Sequence, residues 1–258
     1  MEIQLNGRTA IVTGASKGLG LAIAGKFADC GASVVIAARG AEALESARQQ
    51  LAGKHPGKVA AVRCDVSTAD GVQELYDGAM RAFGKIDIVV NNAGVSRAGP
   101  FDACSDADWQ ADLDLKLFAA IRLIRLVWPQ MKARRWGRVI NVLNTGAKAP
   151  GLNSLPTTAS RAAGMALTKA LSLEGAPLGI LVNALLVGRI ESDQWVRQAA
   201  RQGIALEDAL AQMGTKIPMG RVGRADEFAA TACFLASDLA SYIAGTAINV
   251  DGGASPVV

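Results

Sequence analysis

Seven short runs of β-branched and aliphatic residues, set apart by longer stretches of helical period, constrain this chain more than any other feature. The runs are Thr9 to Thr13, Ser33 to Ala37, Lys58 to Arg63, Ile86 to Val90, Arg138 to Leu143, Ile180 to Leu186 and Thr246 to Val250. They are continuously apolar rather than alternating, as strands buried on both faces are. Between them Leu19 to Cys30, Ala41 to Ala52, Ala69 to Phe83, Asp106 to Ala133 and Ala159 to Leu173 are rich in Ala, Leu, Arg and Gln at helical spacing. This βα alternation predicts a doubly wound α/β domain, a parallel sheet with helices on both faces. No repeat, low-complexity segment or linker divides the 258 residues, so residues 1–258 read as one domain. Arg189 to Gly220 has little strand character and many polar residues; it reads as a helical insertion able to fold over a site.

Composition removes several chemistries. His55 is the single histidine, and Cys30, Cys64, Cys104 and Cys233 are scattered with no Cys-x-x-Cys, which argues against a metal site. The same scattering, with no apolar leader after Met1, points to a reducing cytoplasm. Half of the residues are apolar, yet their stretches are short or interrupted by charge, as by Arg122 and Arg125 between Leu117 and Trp128. A spanning helix needs about 20 mostly apolar residues, so no membrane is expected. The net charge of +4 is thinly spread. Its densest run, Lys132 to Arg138, falls at a helix end where cations suit the dipole, so no nucleic acid is expected either.

Directly after the first strand comes Thr13-Gly14-Ala15-Ser16-Lys17-Gly18-Leu19-Gly20, and a helix follows at once. A strand feeding a glycine-rich turn and a helix N-terminus offers backbone N–H groups and a positive dipole to a pyrophosphate. The spacing is G-x-x-x-G-x-G, which by itself is also compatible with a plain tight turn. The second strand ends in Ala37-Ala38-Arg39. An acidic residue there would bind the 2′-hydroxyl of NAD, whereas an Arg with no carboxylate nearby suits the 2′-phosphate of NADP. With Lys17 as a second cation, NADP(H) is favoured over NAD(H).

At this point the chain closely resembles the short-chain dehydrogenase/reductase family, nearly end to end. The matches are Thr13 to Gly20, Cys64-Asp65-Val66, Asn91-Asn92-Ala93-Gly94, Gly137 to Val142, Val182-Asn183, Arg221-Val222-Gly223 and Val250-Asp251-Gly252-Gly253. The resemblance implies a Rossmann-like fold with a seven-stranded parallel sheet, a homotetramer or homodimer formed through the long helices, and NAD(P)-dependent oxidoreductase chemistry on a small molecule. It also implies that Gly14, Ser16, Lys17, Gly18 and Leu19 form the cofactor turn. Asp65 and Val66 would then contact adenine, and Asn92, Ala93 and Gly94 would line the adenosine ribose. After the sixth strand, Gly188, Ile190 and Ser192 match the residues that meet the nicotinamide end, although Val187 replaces the family's proline.

The catalytic positions depart from the pattern. In the family a Tyr and a Lys four residues later share one helix face, the Tyr as acid/base and the Lys lowering its pKa. Here Thr157 stands at the Tyr position and Arg161 at the Lys position; Asn144 replaces the substrate-orienting Ser, and Lys116 replaces the structural Asn. Neither Tyr76 nor Tyr242 falls where it could substitute. An aliphatic hydroxyl alone is far too weak an acid for this proton transfer, so Thr157 is expected to position. Arg161 stays charged but can hold ribose hydroxyls. Lys116 is expected either to cap backbone carbonyls or, with its pKa depressed by burial and a like charge, to act as an acid or oxyanion donor. Two cations near one pocket repel unless an anion lies between them, so an anionic ligand is a further expectation. Three functions compete: an NADP(H)-dependent oxidoreductase with an atypical site, an inactive dinucleotide-binding sensor or partner subunit, and a non-redox lyase-type activity on the same fold.

Overall fold

The computed structural model describes residues 2–258. Its seven main strands are β1 (Thr9–Thr13), β2 (Ser33–Ala38), β3 (Val59–Arg63), β4 (Ile88–Asn91), β5 (Gly137–Asn144), β6 (Ile180–Val187) and β7 (Ala247–Val250). All seven pair in parallel, in the order β3-β2-β1-β4-β5-β6-β7. The helices are α1 (Gly18–Asp29), α2 (Ala41–Lys54), α3 (Ala69–Phe83), α4 (Asp106–Leu113), α5 (Ala119–Arg134), α6 (Thr157–Gly175), α7 (Asp193–Gln202), α8 (Leu206–Gly214) and α9 (Ala225–Ala236). The expected doubly wound sheet is therefore present, with strand limits within two residues of those read from the sequence.

Alternate strand residues feed two cores. Ala10, Val12, Val34 and Ile36 face Ile23, Phe27 and Phe228 of α1 and α9. Ile11, Val35, Val89 and Val139 face Leu75 of α3 and Leu123, Val127 and Met131 of α5. Both faces of the central strands are thus dry, which is why the runs carry no polar alternation. Each such aliphatic side chain contributes roughly 1.5–3 kcal/mol of burial. Among the described residues no helix is long and apolar enough to cross a membrane.

One departure matters for function. The sequence predicts a single helix from Asp106 to Ala133, but a π turn over Asp114–Phe118 interrupts it between α4 and α5. No Gly or Pro marks that point, so the break has no local signature. π turns inside helices recur at functional sites, and this one carries Lys116 and packs against α6.

Candidate active site

The order of strands reverses between β1 and β4, and at the C-terminal ends of such strands a doubly wound sheet opens a crevice. Here that crevice is a cleft of about 950 Å³. Fifteen of the expected site residues line it: Gly14, Ser16, Lys17, Leu19, Arg39, Asp65, Val66, Asn92, Ala93, Gly94, Asn144, Thr157, Arg161, Gly188 and Ser192. Gly18, Ile190 and Lys116 do not. Gly18 starts α1, and its surface opens beside that helix instead. Ile190 is a core side chain whose carbonyl accepts from Trp195 Nε1 at 2.7 Å, so its side chain does not serve the cleft.

The glycine-rich turn is held by its neighbours. Thr13 Oγ1 accepts from the amides of Asn92 and Ala93, both at 3.0 Å, and Asn92 Nδ2 donates to the carbonyls of Thr13 and Gly14. The Asn92 amide thus braces the turn. Gly14 sits at φ +65°, and a Cβ at Gly20 would lie 2.4 Å from the Gly14 carbonyl oxygen. The first turn of α1 has no acidic residue, and its N-cap, Lys17, makes no side-chain cap bond. These features suit an anion held by backbone N–H groups.

Where β2 and β3 end, Arg39 Nη1 lies 3.7 Å from Asp65 Oδ2. This corrects the expectation that no carboxylate stands near Arg39: Asp65 is distant in sequence, but β2 and β3 pair side by side. Partial burial pushes the Asp65 carboxyl up. Bonds from the Ser67 hydroxyl at 2.7 Å and amide at 3.0 Å, with the Arg39 charge, outweigh that and hold it below the usual range.

The other end is built from buried charge. Thr157 opens α6, and its Oγ1 accepts from Lys116 Nζ at 2.8 Å and from the Arg97 amide at 3.3 Å while donating to the Arg97 carbonyl at 2.9 Å. Lys116 Nζ also donates to Asp112 Oδ1, and both of those side chains are fully buried. Asp112 Oδ2 accepts from Ser160 Oγ at 2.6 Å. Burial pushes the Lys116 ammonium down, and Arg161 and Arg97 push it further; the Asp112 carboxylate opposes them, leaving it at about 8. The capping expectation is therefore corrected, because Lys116 meets a carboxylate and a hydroxyl. Asp112 also acts on both Lys116 and Arg161, so one negative charge already lies against the two cations.

Arg161 Nη1 donates to the Val142 carbonyl at 2.8 Å, and burial lowers its pKa to about 10, with Asp112 opposing the fall. It remains charged at neutral pH. Gly94 backs onto both cations: a Cβ there would lie 2.6 Å from Arg161 Nη2 and 3.8 Å from Lys116 Cε. Arg161 Nε and Asn144 Oδ1 are buried and have no hydrogen-bond partner among the described residues. Buried polar atoms are rarely left so, and one donor and one acceptor at this end fit the polar groups of a nicotinamide nucleoside.

The sequence reading missed Asp112 and Ser160. Their one local signal was spacing: Asp112 lies four residues before Lys116 and Ser160 three after Thr157, which puts each pair on one helix face. It also missed Trp195 and Lys216, which reach the cleft from the 189–220 segment.

The comparisons agree with this architecture. Residues 14–255 match the family model described as enoyl-(acyl carrier protein) reductase. The chain is similar to the NADPH-dependent reductase BacG of Bacillus subtilis (strain 168), at 37% identity over 251 residues, covering 95% of this chain and 97% of that one. It is similar in structure to L-sorbose reductase from Gluconobacter frateurii complexed with NADPH and L-sorbose, with TM-score 0.96 and 32% identity over the whole of both chains. It is also similar to an NADPH-bound short chain oxidoreductase from Pseudomonas aeruginosa PAO1 described as containing an atypical catalytic center, with TM-score 0.92, 35% identity and 99% of each chain covered. A βα sheet with a glycine-rich first crossing, matched end to end by these proteins, leads to one conclusion: the chain belongs to the short-chain dehydrogenase/reductase family.

Proposed function

We propose that this protein is an NADP(H)-dependent reductase of a small carbonyl compound, working through a rebuilt centre of Lys116, Asn144, Thr157 and Arg161. The observation that carries the reading is the 2.8 Å bond from Lys116 Nζ to Thr157 Oγ1, with the lysine sealed behind a threonine that lines the cleft. Similar proteins support the cofactor: BacG is an NADPH-dependent reductase, and the L-sorbose reductase and the Pseudomonas aeruginosa oxidoreductase are NADPH complexes. The last is described as containing an atypical catalytic center.

The chain would hold the cofactor with Gly14, Ser16, Lys17 and Leu19 at the pyrophosphate. Arg39 would take the 2′-phosphate, Asp65 and Val66 adenine, and Asn92 to Gly94 the adenosine ribose. Arg161 would hold the nicotinamide ribose, with Gly188 and Ser192 beyond it. A bound nicotinamide supplies the hydride, and every other task falls to the protein. Asn144 orients the substrate oxygen. The Thr157 hydroxyl turns its proton from the Arg97 carbonyl to that oxygen while Lys116 Nζ refills it. The threonine never ionises alone, so its weak acidity is no obstacle, and a donor at about 8 is matched to neutral pH.

Arg161, Arg189 and Lys216 line the substrate end, whereas Asp65 is the one acid among the described lining residues and lies at the adenosine end. An anionic group on the substrate fits that balance. Arg189, Trp195 and Lys216 also line an adjoining cavity of about 380 Å³ against α8, which supports α7 and α8 as a lid. Self-association through α4, α5 and α6 completes the proposal, and light scattering tests it, a monomer opposing it.

The deciding experiment titrates NADPH into the protein by fluorescence and then follows NADPH consumption with aldehydes, ketones and oxo acids. Binding with turnover is the expected result. Binding without turnover across the panel would leave the dinucleotide-binding sensor instead.

A further inference from the structure

Asp112 is a buried carboxylate, 1% exposed, with both oxygens occupied. Oδ1 accepts from Lys116 Nζ and Oδ2 accepts from Ser160 Oγ at 2.6 Å. A carboxylate out of water is costly unless it is paired and hydrogen-bonded. Here the paired group is the ammonium that stands 2.8 Å from Thr157 Oγ1. Ser160 is tied in turn to the Thr157 carbonyl at 2.9 Å, so the carboxylate links α4 to the first turn of α6.

The charges around Lys116 come from three elements. α6 contributes Arg161 and the segment after β4 contributes Arg97, and both favour the neutral amine. Asp108 lies 3.5 Å from Arg97 and meets part of that charge. α4 contributes Asp112, the one charged group acting directly on the ammonium that favours its protonated form. Thr157 and Ser160 are neutral.

We propose that Asp112 is a positioning residue: it fixes the Lys116 ammonium against Thr157 and sets the pH at which the site gives up its proton. The catalytic consequence rests on the reductase reading above, while the control of the Lys116 charge stands without it. The sign is definite. Removing the carboxylate leaves burial, Arg97 and Arg161 acting unopposed, so the ammonium deprotonates at lower pH. Removing Arg161 instead takes away a like charge, so it deprotonates at higher pH. A purely structural tie between α4 and α6 gives no such pair of opposite shifts.

The test is NMR titration of the full chain with lysines isotope-labelled at Cε, the Lys116 signal being the one absent from Lys116→Met. Asp112→Asn is expected to lower the Lys116 midpoint by about 1 to 3 pH units, the usual effect of a nearby opposite charge. Arg161→Met is expected to raise it, and Asp112→Glu to leave it within about one unit. A midpoint unmoved in folded Asp112→Asn overturns the proposal. If that variant does not fold, the unsubstituted protein decides: the Asp112 carboxyl carbon should shift in step with Lys116, and its failure to do so is equally fatal. In the reductase assay the alkaline limb of kcat for Asp112→Asn should follow the NMR midpoint, with the affinity of that variant for NADPH unchanged. A midpoint that moves as expected in a chain that reduces no carbonyl sustains Asp112 as the control of the charge and overturns the reductase reading alone.

Discussion

Around the glycine-rich turn the cleft presents mostly backbone, and around Thr157 mostly buried charge. The first is a turn of glycines braced by Thr13 and Asn92 at the N-terminus of α1. The second is a hydrogen-bonded set, Asp112, Lys116, Thr157 and Ser160, drawn from a π turn and two helices, at the end of the cleft where the family resemblance leads one to expect a Tyr and a Lys. Backbone geometry tolerates few alternatives because a Cβ meets carbonyl oxygen. Proton transfer needs only a donor of suitable pKa within reach, and more than one set of side chains can provide that.

The sharpest way to break this contrast is at Lys116. Lys116→Met should lower kcat for carbonyl reduction by about 10²–10⁴-fold, the usual worth of a general acid, while the NADPH Kd from fluorescence titration stays within about twofold. Equal losses in both would mean the two ends are not separable. Thr157 should behave likewise in turnover: Thr157→Val removes the bridging hydroxyl and most of the rate, and Thr157→Ser restores it to within about tenfold of the parent.

Smaller effects are expected at the other end. Gly20→Ala drives a methyl against the Gly14 carbonyl and should cost about 1–3 kcal/mol by chemical denaturation. NADPH binding should weaken with it, while the pH at which kcat falls stays put. Arg39→Ala should raise the Kd for NADPH about tenfold, from loss of one charge-assisted contact, and leave NADH unchanged. An equal change for both cofactors would show that Arg39 serves Asp65 rather than a 2′-phosphate.

Much of the glycine-rich turn was legible because its elements are consecutive. Thr9 to Thr13, the glycines and α1 form one strand-turn-helix unit, and each follows from local preference and burial. The pairing of Arg39 with Asp65 was not legible, since it arises where β2 and β3 align Ala38 with Arg63. The catalytic end was half legible. The flanks of Thr157 and Arg161 pointed to this end of the cleft, and the described lining holds no tyrosine or histidine. What Lys116 does there was open until its partners were known. Asp112 and Ser160 are 48 residues apart, and Lys116 and Thr157 are 41.

By itself, then, the sequence determined the sheet, the glycine-rich turn and that Thr and Arg stand at 157 and 161, because hydrophobic period, turn chemistry and residue identity are properties of short stretches of chain. Only the tertiary structure decided that Lys116 is held by Asp112 against Thr157. A buried charge takes its protonation state from whatever the packing of distant helices brings within hydrogen-bond reach, and a π turn with no sequence signature aims this one.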